Sequence, residues 1–216
     1  MGYGWITLAE VAVDAKGDTG NILAGRREYI DLGPEARELV MEGVDAMTVG
    51  SALEERLSWV KGAIDRIDGL ADEEQRYWAI SRCADVYPDL RIQRLRGVWE
   101  RTRDVDEVLR AMEPDTGWFS APRREGDVIF HPKVPFDREA WEKATDPAER
   151  RMHFCHCGLI RESMDKVDMS PTYCYCGTGW VRQLWEGILG EPVRVELLRS
   201  VVAGDDICEF KIHLPT

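Results

Sequence analysis

Basic charge is scarce in this chain. Against 40 Asp and Glu it sets only 28 Lys and Arg in 216 residues, a net charge of −12 with four histidines left neutral. That deficit argues against general nucleic-acid binding, which needs a concentrated cationic surface to neutralise phosphates. The one basic stretch, Arg91, Arg94, Arg96, Arg101 and Arg103, recurs around Ile92, Leu95, Val98 and Trp99, and reads as the solvated rim of an amphipathic helix. Long apolar runs are also missing: none approaches the roughly 20 residues that span a bilayer. The opening Met1-Gly2-Tyr3-Gly4-Trp5-Ile6 has no basic region and is soon interrupted by Glu10 and Asp14, so no signal peptide, export or membrane insertion is expected. No internal repeat, low-complexity tract, phosphate loop or metalloprotease helix formula is present. Gly177-Thr178-Gly179 lacks the Lys and Ser/Thr of a phosphate loop and reads as a turn into a helix. With 44% hydrophobic and 31% charged residues, the expectation is a globular cytoplasmic protein.

The apolar pattern divides the chain in two. Residues 1–114 read as mainly helical: Leu39, Val40, Val44, Met47, Val49 and Leu53 recur at threes and fours, and Leu57, Val60, Ile64 and Ile67 continue that spacing from Ser51 to Asp68, with Gly69 as a stop. Further helices are expected from Asp72 to about Val86, from Leu90 to Glu100, and from a cap at Asp104 through Met112 to Pro114. Residues 115–216 change character. A strand is expected before Pro132, a loop with one helical turn around Trp141, and a strand from Met152 to Ile160. A helix through Trp180 and Leu189 should close at Gly190. A β-hairpin follows, with Val193 to Leu198 turned back by Gly204-Asp205-Asp206 into Ile207 to Ile212. The fold class is α+β: an N-terminal helical layer packed on a small antiparallel sheet with a helix–hairpin ending.

Five of six cysteines lie in the last third: Cys155-His156-Cys157, Cys174-Tyr175-Cys176 and Cys208. In an acidic chain with no export signal, thiols this clustered point to metal ligation or reactivity rather than disulfide staples. A borderline-soft ion such as zinc takes four thiolate or imidazole ligands, and two short Cys-bearing segments side by side supply four. The Cys-x-Cys spacing departs from the usual knuckle, since extended residues i and i+2 stand about 6.5–7 Å apart and need a bend to share one ion. Gly158 and Gly177 follow the two pairs and permit such bends. A redox dithiol and plain burial remain open beside the metal. His156 should point away from both neighbouring cysteines, His153 could share the face of Cys155, and His131 and His213 carry no expected catalytic role. Cys83 reads as a small packed hydrophobe.

The run from Phe154 to Leu214 joins Ser170-Pro171-Thr172-Tyr173-Cys174-Tyr175-Cys176 to Gly177-Thr178-Gly179-Trp180, Leu189-Gly190-Glu191-Pro192-Val193 and Gly204-Asp205-Asp206-Ile207-Cys208-Glu209-Phe210. It resembles an uncharacterised bacterial and archaeal domain family with a Cys-rich C-terminal half, and is similar to the 4-vinyl reductase domain superfamily, which includes small-molecule sensor domains. That resemblance implies a zinc ion held by a Cys before the helix, an acidic residue and a Cys on the hairpin, and a Cys of the last strand. Cys176 matches the first position and Cys208 the last. The hairpin Cys falls at or near Ser200, and Glu196 stands near the acidic position.

The expected function is a small-molecule-binding, sensor-like protein with a thiolate zinc site drawn from Cys155, Cys157, Cys174, Cys176 and Cys208. Alternatives are a metal- or Cys-dependent hydrolase of a small molecule, and a thiol redox or persulfide-handling protein. No Ser/His/Asp or paired-carboxylate constellation can be assembled from the sequence. A small apolar or aromatic ligand is expected in a cavity between the helical layer and the hairpin, with Trp118, Trp180 and Trp185 nearest it and His156 at its mouth. A homodimer is compatible with this reading.

Overall fold

The computed structural model describes residues 32–48, 50–164 and 166–215. The N-terminal run read for export and Val49 of the first apolar stripe lie outside the described residues. Helix α1 (Pro34–Val40) is followed by a 3-10 turn (Val44–Ala46), not by the continuous helix that the spacing of Leu39 to Leu53 suggests. Gly43 between them takes a left-handed φ of 81°, which ends helical hydrogen bonding there. Helix α2 (Leu53–Leu70) buries the expected stripe of Leu57, Val60, Ile64 and Ile67. Asp72 then caps α3 (Glu73–Ser81): its carboxylate accepts the Gln75 N–H at 2.8 Å and the Gln75 side chain accepts the Asp72 N–H in return. This helix stops five residues before Val86. Helix α4 (Asp89–Thr102) and α5 (Val105–Met112) follow, the latter capped by Asp104 as its position suggests. Arg91 and Arg94 of the basic stretch both pair with Asp115.

Strands β1 (Arg123–Glu125) and β2 (Val128–Pro132) lead into α6 (Arg138–Lys143), α7 (Pro147–Phe154) and the single turn α8 (Gly158–Arg161). The expected strand from Met152 to Ile160 is therefore corrected to helix, a short extended link, and helix. The reason lies upstream: Asp146 accepts the N–H groups of Ala148 and Glu149, both at 2.9 Å, and Pro147 starts the first turn with a preset φ. Only Cys155, His156 and Cys157 stay extended between the two helices. A 3-10 turn (Pro171–Cys174) runs directly into α9 (Tyr175–Leu189), which Gly190 closes in the left-handed region. The hairpin is β3 (Arg194–Arg199) and β4 (Glu209–His213), joined through a 3-10 turn (Val201–Ala203) and Gly204.

The four strands form one antiparallel sheet in the order β1-β2-β4-β3. Its register aligns Ile129, Ile212 and Val195 in one row, and all three are fully buried. Helix α9 packs between this sheet and the N-terminal helices α3 and α4. Glycines permit the close approach: a Cβ on Gly179 would stand 1.7 Å from the Ser81 carbonyl oxygen, and one on Gly177 would stand 2.8 Å from the Phe210 ring. Gly177-Thr178-Gly179 thus lies inside the helix rather than ahead of it. The chain is α+β, as expected, with the helical layer meeting the sheet through α9. Two apolar cores result. One joins Leu95, Val108, Met112, Trp185, Ile188 and the central sheet row. The other joins α2 to Phe154, Cys155, Leu159, Ile160, Tyr173 and Val201.

Candidate functional site

All five C-terminal cysteines line one small cavity of about 60 Å³, together with Lys133, Phe154, His156, Tyr173, Leu197, Val201 and Phe210. Three separate segments deliver them. The extended link between α7 and α8 carries Cys155 and Cys157, the junction of the 3-10 turn with α9 carries Cys174 and Cys176, and the return of the hairpin carries Cys208. The helix α9 N-terminus places its partial positive charge beside Cys174 and Cys176, an electrostatic aid to any thiolate formed there.

Burial raises the proton affinity of four of these thiols, Cys155, Cys174, Cys176 and Cys208. Burial pushes Cys155 up to about 12, with smaller contributions from Cys157 and Cys208. Cys174 is raised first by burial and then by Cys208 and Cys176, and Cys176 by burial and then Cys157. Cys208 is raised by burial as well. Opposing this, the Ser200 hydroxyl donates to the Cys174 Sγ at 3.2 Å, which favours that sulfur carrying charge. The Tyr173 phenol lies 3.3 Å from the Cys157 Sγ. Among the described residues, no three His, Cys, Asp or Glu side chains are drawn closely enough together to hold one ion. The cysteines are free thiols. Their donor chemistry suits a borderline-soft cation, and each has a single side-chain torsion by which to turn toward one.

The other expected site residues divide clearly. His156 is exposed and stands at the cavity's wall, where its Nε2 lies 2.8 Å from the Val134 carbonyl; because a carbonyl only accepts, that nitrogen carries the proton. Trp118, Trp180 and Trp185 line neither this cavity nor the larger one described below. Trp185 is fully buried in the sheet-side core and donates its indole N–H to His131 Nδ1 at 3.3 Å. Trp118 and Trp180 stack at 6.0 Å, Tyr87 sits 4.3 Å from Trp180, and the Arg91 guanidinium lies 3.8 Å over Trp118. They form a packed aromatic cluster instead of a pocket wall. Glu196 also lies away from the cavity: strand alternation gives that face to Leu197, and Glu196 bonds His213 at 2.6 Å. His153 lies 3.8 Å from Glu149 on its own helix.

Cys83 follows α3 and is buried in the same apolar core as the cluster without lining its cavity, its thiol pushed up to about 12 by burial, in keeping with a packing role. Lys133 and Tyr173 escaped sequence reasoning. Tyr173 adjoins Cys174, which is a usable signal. Lys133 carries none, since its place is set by the pairing of β2 with β4 and by its N–H bond to the Cys208 carbonyl at 2.9 Å.

A second, larger cavity of about 360 Å³ adjoins the first. It is lined by Leu57, Ile160, Ser163, Met164, Lys166, Val167, Asp168, Met169 and Val202. Leu57 belongs to the N-terminal helices and the rest to the C-terminal half, and Ile160 and Val202 form part of both cavity walls. Among the described residues no helix is long and apolar enough to cross a membrane.

Residues 148–216 match the model of a family of unknown function, DUF6144, and this stretch carries all five clustered cysteines. No curated protein and no solved structure gives a match. The C-terminal third is thereby similar to a domain family of unknown function.

Proposed function

We propose that this protein is a small-molecule-binding, sensor-like protein built around a thiolate metal centre, with zinc the metal best suited to it. One observation carries the reading: five thiols from three separate segments meet at one small cavity that no carboxylate of the described residues lines. Buried thiols with raised proton affinity are costly to ionise, and a divalent cation offsets that cost while organising the segments that bear them. Cys155, Cys174 and Cys176 would supply ligands from both pairs, with Cys157 or Cys208 completing a tetrahedral set. Bound there, zinc would supply structural cross-linking of α7, α9 and the hairpin. The resemblance of the helix–hairpin ending to the 4-vinyl reductase superfamily supports the same assignment.

The ligand compartment is the 360 Å³ cavity, within the size range of small-molecule sites. Its lining is mixed, with more polar than apolar surface, and its Ser163, Lys166 and Asp168 beside Leu57, Ile160 and Val202 suit a compact molecule that carries both an apolar and a polar part. Ile160 and Val202, common to both cavities, give ligand occupancy a short route to the thiols.

The test is elemental analysis of protein purified without chelators, paired with a count of reactive thiols. The expected result is about one zinc per chain, with the zinc-engaged thiols of the folded protein protected from modification and all six titrating once the chain is unfolded with a chelator present. Metal-free protein with six reactive thiols would overturn the metal reading. Metal-free protein with fewer, recovered by a reductant, would assign the cluster to dithiol redox chemistry.

A further inference from the structure

Lys133 is an anomaly of charge. In a protein with 40 acidic residues, no carboxylate among the described residues pairs with its ammonium. Among the described residues no Asp or Glu lines the thiol cavity, and Lys133 is the one lysine or arginine that does. Its backbone cannot drift, because its N–H bonds the Cys208 carbonyl just beyond the last β2–β4 pair, Pro132 with Glu209. The side chain is half-buried and passes the Trp180 ring, with the ammonium 5.2 Å from the centroid. A cation over an aromatic face, with no carboxylate beside it to neutralise its field, directs that field where the chain points. Here that is the wall shared with Cys155, Cys176 and Cys208, whose thiols its field favours in the ionised form against the larger effect of burial.

A zinc ion with four thiolates carries a formal charge of −2, and in a buried site that excess is expensive unless a fixed positive group stands nearby. We propose that Lys133 is the counter-charge of the thiolate centre: a positioning residue that never ligates the metal but offsets one unit of the complex's negative charge, and so sets how tightly the dication is held. The inference rests on the metal reading above and deepens it.

The experiment measures zinc affinity by competition with a chelator for the full chain, its Lys133→Met variant and its Lys133→Arg variant, and records the absorption of each after loading with cobalt(II). A unit charge several ångströms away in a partly buried site alters affinity by about ten- to a hundredfold, so Lys133→Met is expected to bind zinc that much more weakly. Lys133→Arg, which keeps the charge, should stay within about threefold of the parent. The cobalt ligand-field and thiolate charge-transfer bands should keep their positions in all three, since no ligand changes. Thermal unfolding of the metal-free forms guards against a folding defect, and Lys133→Gln replaces the Met variant if that one fails to fold. Undiminished zinc affinity in the charge-neutral variant overturns the proposal while leaving the metal centre intact, and so does a shifted cobalt spectrum. A parent protein that takes up no zinc overturns both.

Discussion

The two cores of this molecule bury polar atoms in opposite ways. In the sheet-side core, His131 and Trp185 meet each other: the indole N–H can only donate, so His131 accepts through Nδ1 and stays neutral, with its proton on Nε2. Its surroundings are closed by Phe119 and the row of Ile129, Ile212 and Val195. In the thiol-side core, five cysteines face a cavity, and their partners are weak or shared: Ser200 bonds both Cys174 and Cys208, the Tyr173 hydroxyl stands beside Cys157, and the Cys155 thiol reaches the Cys157 carbonyl at 3.9 Å. A buried polar group with one fixed partner is architecture; several buried groups of the same chemistry facing shared free space are a site. Helix α9 serves both, with Trp185 on one side and Cys176 at its start.

The two cores should answer differently to metal when each is damaged. Trp185→Ala removes a fully buried indole from the sheet-side core and should cost about 3–5 kcal/mol, equally with and without zinc, as read by urea unfolding. A loss that zinc rescues would mean the two cores are not separate. His131 provides the second strike through pH. Burial, with a smaller push from Lys133, lowers it from 6.5 to about 4 in the folded chain, so between those values the unfolded chain binds more protons. Stability should therefore be fully present above about pH 6.5 and fall by up to roughly 3 kcal/mol as pH drops toward 4, because each pH unit between the two values is worth about 1.4 kcal/mol. His131→Asn should flatten this part of the profile, and an unchanged slope would remove His131 from the account.

The thiol side responds to metal instead. Cys174→Ser should abolish the stabilisation that zinc confers, worth about 2.7 kcal/mol at a hundredfold excess over Kd, while Cys83→Ser keeps it. Equal melting of both zinc-treated variants would show that the cluster does not organise this end of the fold.

Local signals were legible in the sequence where short-range chemistry decides the outcome. The stripe of Leu57, Val60, Ile64 and Ile67, the caps at Asp72 and Asp104 and the stop at Gly190 all stand where residue spacing places them. The crowding of cysteines into the last third likewise foreshadowed one meeting point. What stayed hidden depends on contacts between distant segments. Trp118 and Trp180 looked like cavity aromatics, but Tyr87 and Arg91, nearly a hundred residues before Trp180, turn them into a packed stack. The strand expected from Met152 to Ile160 failed for a nearer reason, since the Asp146-Pro147 start of α7 outweighs the β-forming look of its end. Lys133 was invisible because only the pairing of β2 with β4 brings it beside Cys208.

The smallest expected effect is also a gain, and it tests the thiol side by adding to it. Ser200 sits in the hairpin connection beside the cluster, and its hydroxyl stands 3.2 Å from the Cys174 Sγ. Its backbone is anchored by an N–H bond to the Asp205 carboxylate at 2.8 Å, so the side chain's direction does not depend on the hydroxyl alone. Ser200→Cys therefore places a sixth thiol at the cavity's edge, with little change in volume. It gives up the hydroxyl bonds to Cys174 and the Val202 N–H, a cost of about 1 kcal/mol in the metal-free protein. In the metal-loaded protein a preplaced thiolate should more than offset this and tighten zinc about tenfold in a chelator competition. If the variant instead loses zinc affinity together with metal-free stability, Ser200 acts through its hydrogen bond to Cys174, and the hairpin contributes to the cluster by orienting a thiol rather than by offering a place for one.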